Sequence, residues 1–170
     1  MASKRRSYQW KARTDFPSVL TGALLAVLVG TIITSMVHES GHAFWVLVFN
    51  GHMTQWVFSW FWGVTAFSGN FAQWQLFIIY SGGTMFVSLL MLLLAFLPEP
   101  FFTNIASIIF GFRNMIDGSP FTAGTDGYQM AQISLIGAWV WYGFLFLLWV
   151  YALAHISGVE FHWKKSRMGI

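Results

Sequence analysis

The sequence predicts an all-α polytopic membrane protein of about four transmembrane helices, with a short aromatic, strand-like interfacial segment after the first. Three observations predict it. Hydrophobic residues make up 56% of the 170 positions, aromatics 19% and charged residues only 9%, against roughly 25% charged in ordinary soluble domains. Eight of the nine basic residues gather at the two ends: Lys4, Arg5, Arg6, Lys11 and Arg13, then Lys164, Lys165 and Arg167. Two basic collars around an apolar body are the pattern of a multi-pass protein with both termini on one side, and the basic leader assigns that side to the cytoplasm. The body between them holds uncharged runs long enough to cross roughly 30 Å of hydrocarbon as helices. This composition excludes a water-soluble globule, which needs far more surface charge, and a disordered chain, which would be polar. With basic charge confined to collars, the net charge of +3 points to a lipid bilayer and not to nucleic acid. Cysteine is absent, so disulfides, thiolate ligands and a cysteine nucleophile are excluded.

Residues 1–16 read as a basic polar leader, 17–158 as a single membrane domain and 159–170 as a basic tail. Phe16 to Val37 is 22 residues without a charge. No clean small-x-small cleavage site follows it, so it reads as a retained span rather than a cleaved signal. Apolar character continues to Phe49, which sets the first helix at about 17–49, and Asn50-Gly51 reads as a turn. The segment 50–74 carries Trp56, Phe58, Trp60, Phe61, Trp62, Phe67 and Trp74, punctuated by Gly63, Gly69 and Asn70. That content suits short strands or an interfacial hairpin. A second helix, about 75–97, is interrupted near its start by Ser81-Gly82-Gly83 and ended by Pro98-Glu99-Pro100. A shorter apolar helix at 101–116 spans only if tilted or extended. A turn-rich stretch from Asp117 to Gly127 then leads to the last helix, about 132–156.

The chemistry centres on His38-Glu39-Ser40-Gly41-His42, an H-E-x-x-H motif. On a helix, residues i and i+4 share a face, so both imidazoles reach one metal ion. Glu39 lies one step round the helix, where its carboxylate addresses a metal-activated water. Zinc with three protein ligands keeps a fourth position open for that water and lowers its pKa to about 7. Glu39 then serves as general base and returns the proton to a leaving amine. Three ionisable residues within five positions of an apolar span are too costly to be mere packing. A third ligand must come from elsewhere, and His52, His155, His162, Glu99, Asp117, Asp126 and Glu160 are the candidates.

His38 to His42 in a transmembrane helix, the Gly82-Gly83 pair in the next and Asp126-Gly127 opening a later one together resemble the site-2 protease superfamily of intramembrane zinc metalloproteases. The resemblance covers roughly Thr31 to Ile133. It implies His38, His42 and Asp126 as zinc ligands and Glu39 as catalytic base. It implies that the aromatic segment presents a strand edge to an extended, membrane-embedded protein substrate, by β-augmentation. The sequence departs from the family pattern in three places, one being an interval from Pro120 to Asp126 that is one residue longer than the family's. Asp117 stands three residues before Pro120 where the family has Asn, and Thr84 follows the glycines where the family has proline. The oxyanion-stabilising residue is thereby unassigned, with Asn114 and Ser119 as candidates.

Other residues have simpler readings. Asp117 suits a turn or helix cap, and Arg113 either pairs with it or snorkels. His155 suits hydrogen-bonded packing, with ligation as the alternative. His52 and His162 read as interfacial. Gly82 and Gly83 permit close helix contact. The alternative function is a non-catalytic small subunit of a larger membrane protein complex, holding a structural metal or another cofactor. A small transporter is a third. His38 lies about 30 Å along the helix from its start, near the face opposite a cytoplasmic N-terminus, whereas the family resemblance implies a site near the cytosolic side.

Overall fold

The computed structural model describes residues 16–60, 62–96 and 100–156. The basic collars, Phe61, Glu99, Glu160 and His162 lie outside the described residues. The first helix, α1, runs Phe16–Val48. Its 33 residues give a rod of about 50 Å. The turn expected at Asn50-Gly51 ends it. Asn50 takes φ 58°, a left-handed conformation that asparagine tolerates better than most residues. The Gly51 N–H donates to Val46 O at 2.8 Å and the Asn50 N–H to Leu47 O at 3.0 Å, which is the Schellman pattern that satisfies the last carbonyls of a helix.

The strand-like segment is a true antiparallel hairpin of β1, His52–Phe58, and β2, Gly63–Ser68. The register runs from His52 opposite Ser68 to Phe58 opposite Gly63, with an irregularity between Met53 and Gln55. The molecule is therefore mainly helical with a small sheet, rather than all-α. The hairpin packs on α1.

Next, α2 spans Gln73–Ala95, and α3 Pro100–Asp117. The expected interruption at Ser81-Gly82-Gly83 does not occur, because α2 continues through it. The Ser81 hydroxyl turns back to Ile78 O at 2.9 Å, and the glycines serve packing instead. The expected last helix is present, and an unexpected short helix precedes it. α4, Asp126–Ile133, ends where Ser134 adopts an extended backbone (φ −151°, ψ 102°). α5 then runs Leu135–Ile156. The Ser134 hydroxyl accepts the Gly137 N–H at 3.1 Å, the hydrogen bond of an N-cap, so this serine starts a new helix. The described residues thus hold five helices, not four.

α2 is central and packs against α1, α3, α4 and α5. Two glycines set its approach to α1. A Cβ on Gly41 would collide with the Gly82 carbonyl, and one on Gly82 would lie 2.6 Å from the Trp45 ring and 2.7 Å from Gly41 O. On the other side, Val87, Met91, Ala95, Phe110 and Ala152 form a buried apolar cluster joining α2, α3 and α5. Polar ties run through it. The Trp141 indole donates to Thr84 Oγ1 at 2.9 Å. The Asn114 amide donates to Thr84 O at 3.0 Å and Ser88 Oγ at 2.7 Å.

Among the described residues, α2 and α5 are long and apolar enough to cross a membrane. The outer side of α5 is apolar from Leu135 to Val150, with Ile136 79% and Val140 68% exposed. Continuous apolar surface of that kind marks contact with a membrane or a partner.

The α1–α2 contact yields a paired prediction. Gly41→Ala drives a methyl into backbone and should cost about 1–3 kcal/mol. Gly143→Ala, where a Cβ meets nothing within 4 Å, should be neutral or slightly stabilising. Thermal unfolding of both variants in detergent checks this, and equal behaviour would contradict the packing argument.

Candidate metal centre

The motif falls in the last third of α1, where the helix is flanked by α2 and the hairpin. His38, Glu39 and His42 are all buried. The two imidazoles stand edge to face, with centroids 4.8 Å apart, as one helical turn requires. Asp126 is brought to them by the chain reversal between α3 and α4. Thr125 caps α4, its hydroxyl accepting the Tyr128 N–H at 3.3 Å and donating to Ser119 O at 2.8 Å. Asp126 is thereby placed in the first turn, where the helix dipole favours a carboxylate. Gly127 allows the approach, since a Cβ there would strike the Gly118 carbonyl.

The result is a tight triangle. His38 Nε2 lies 2.8 Å and His42 Nε2 3.1 Å from Asp126 Oδ2, and the two nitrogens are 3.1 Å apart. His42 Nδ1 is 2.7 Å from the Ile79 carbonyl. A carbonyl only accepts, so Nδ1 carries a proton, and in the neutral ring Nε2 presents a lone pair. Asp126 Oδ2 is buried, and the groups that face it are the two Nε2 atoms. Lone pairs converging without protons between them repel, and a cation at their centre reverses that. Tetrahedral zinc with bonds of about 2.0–2.1 Å sets its ligand atoms about 3.3 Å apart, close to the observed triangle. His38, His42 and Asp126 can therefore hold a metal ion. Gly83 is the floor of the site, because a Cβ there would sit 2.6 Å from His42 Nε2 and 2.7 Å from His38 Nε2.

Glu39 does not join the triangle. Its Oε2 accepts the Thr65 hydroxyl at 2.8 Å, and the same hydroxyl is 3.1 Å from the Glu39 carbonyl oxygen. Strand β2 thus lies over the glutamate, and a side chain at Gly63 would collide with its carboxylate. Around these groups lies a cavity of about 580 Å³, lined also by Trp62, Val64, Phe67, Tyr80, Arg113, Asp117, Gly124, Thr125 and Gln129.

Of the third-ligand candidates, the structure brings Asp126 to the histidines. His52 begins β1, and His155 lies near the end of α5 against the Phe96 ring at 4.1 Å, so neither belongs to the group. Asp117 lines the cavity and pairs with Arg113 at 3.3 Å, which makes it more than a turn residue. Neither oxyanion candidate lines the cavity. The Asn114 amide is bound to α2, and Ser119 Oγ lies 3.3 Å from the Phe121 N–H it accepts and 3.4 Å from Thr122 Oγ1. Sequence reasoning missed Thr65, whose role depends on hairpin register, and Tyr80 and Gln129, which no motif marks.

Purified protein should bind one equivalent of a divalent metal, measured by elemental analysis. His38→Ala, His42→Ala and Asp126→Ala should each abolish stoichiometric binding. Gly83→Ala removes no ligand, yet should weaken binding by crowding both ring nitrogens. Full retention in Gly83→Ala would show that the ion sits elsewhere.

Comparison with protein-family models, with curated proteins and with solved structures finds no match to this chain.

Proposed function

We propose that this protein is a multi-pass intramembrane zinc metallopeptidase that hydrolyses a peptide bond of a membrane-embedded protein substrate. One observation carries the reading. Two imidazole nitrogens and a carboxylate oxygen converge within hydrogen-bonding distance of one another, while a second carboxylate, Glu39, stands beside them and is oriented by Thr65. A structural site needs only ligands, whereas a separately oriented carboxylate is what acid–base work requires. The apolar lengths of α2 and α5 and the exposed apolar face of α5 support a bilayer setting, and α1 and α3 complete four spans in this reading.

Zinc, when bound, supplies Lewis acidity and an acidified water. The protein's own residues do the rest. Glu39 takes the water proton on its carboxylate and delivers it to the departing amine. The Thr65 hydroxyl keeps that carboxylate from swinging into the ligand triangle. The cavity admits an extended segment beside β2.

A second reading has its own support. Neither Asn114 nor Ser119 lines the cavity, so neither expected oxyanion donor is in place, which favours a metal-holding, non-catalytic subunit of a larger membrane complex. Glu39→Gln separates the two. On the peptidase reading the variant keeps its zinc and loses cleavage of a helical transmembrane test substrate by about 10²–10⁴-fold. Stoichiometric copurification with a complex, without cleavage by the unaltered protein, would establish the subunit reading instead.

A further inference from the structure

The two histidines of the triangle are not held alike. His42 has a partner behind it in the Ile79 carbonyl, 2.7 Å from Nδ1. His38 Nδ1 is buried with no hydrogen-bond partner, in a residue only 7% exposed. Behind it stands the carboxylate of Asp117, with Oδ2 at 3.8 Å. Arg113, one turn earlier on α3, grips the same oxygen through Nε at 3.3 Å, and both residues line the metal cavity.

We propose that Asp117, held by Arg113, is a positioning residue that accepts the Nδ1–H of His38 and so fixes the tautomer and ring orientation with which His38 meets a metal. The inference rests on His38, His42 and Asp126 being the ligands. If Nε2 of His38 gives its lone pair to a cation, the ring's one proton must reside on Nδ1. A buried N–H without an acceptor is destabilising, and ligating histidines nearly always donate their other N–H to a carboxylate or carbonyl. His42 already has the carbonyl. Asp117 sits at the C-terminal end of α3, where turning the side chain through about 1 Å converts 3.8 Å into an ordinary hydrogen bond. The Arg113 contact limits the carboxylate to that side of the ring and keeps it from competing as a fourth ligand.

The test uses the full chain in detergent, with zinc affinity read by competition against a chelator. Asp117→Ala should weaken zinc binding about 10–100-fold. Asp117→Asn retains an oxygen acceptor and should keep most of the affinity, while Arg113→Ala should fall between. In the zinc-loaded protein, the ring Nδ1–H resonance of His38 should move in Asp117→Asn while that of His42 stays in place, a signature that a merely structural role would not produce. If Asp117→Ala does not fold, the resonance in Asp117→Asn decides alone. Unchanged affinity in Asp117→Ala, or an unmoved His38 resonance, overturns the inference. Failure of the unaltered protein to bind zinc overturns the ligand assignment as well, so the two failures are distinguishable.

Discussion

The backbone contact between Gly41 on α1 and Gly82 on α2 is the constraint on which the rest of the site depends. With no Cβ on either glycine, the two helices come closer than any side chain would allow. That approach puts the Ile79 carbonyl behind His42 and places Gly83 directly beneath both ring nitrogens. A wider separation would leave His42 without its acceptor and open a gap under the ligands. Packing and chemistry are set by the same contact here. The glycines are conformationally unremarkable, since both lie within α2 or α1, and it is their missing volume that matters.

The second support is polar and lies just behind that contact. Thr84 joins three helices. Its hydroxyl accepts from Trp141 on α5 and donates to Ser81 O, while its carbonyl takes the Asn114 amide from α3. Hydrogen bonds of this kind are among the forces that hold helices together where lipid removes the hydrophobic drive between them. They also fix α3, and with it Asp117 and the chain reversal that delivers Asp126. The departure of Thr84 from the proline of the resembled family is thereby given a use, because proline would offer no hydroxyl to Trp141. Asn114 is consumed by the same network, which is why it is not available to the cavity.

The features legible in the sequence are those encoded by short-range spacing. His38 and His42 share a face because they are four residues apart. The Asn50-Gly51 stop, the positions of the long apolar helices and the i,i+4 pairing of Arg113 with Asp117 follow from local chemistry in the same way. Asp126 came from a resemblance and not from spacing, since nothing local says that residue 126 returns to residue 38. The short helix α4 is not legible, because it follows directly on a turn-rich stretch and only the cap at Ser134 separates it from α5. Thr65 was beyond reach for a different reason. Its meeting with Glu39 depends on the register of a hairpin and on how that hairpin lies over α1, and a one-residue slip would turn the hydroxyl away.

The same geometry links the metal to the fold. Three ionisable side chains and Glu39 are gathered inside an apolar body, and burying charge is costly unless it is compensated. Within the triangle only the two imidazoles face Asp126, at 2.8 and 3.1 Å, and Arg113 reaches Asp117 instead. Hydrogen bonds steady the periphery, through Ile79 to His42 and Thr65 to Glu39, but the converging lone pairs at the centre have only each other. A bound cation satisfies all three at once, and because it binds the folded arrangement far better than the unfolded chain, its affinity adds directly to stability. Loss of metal would then loosen the junction of α1, α2 and α4 before the apolar cluster of Val87, Met91 and Phe110, which lies on the other side of α2 and uses none of these groups. Metal affinity and local stability are in this arrangement properties of one site.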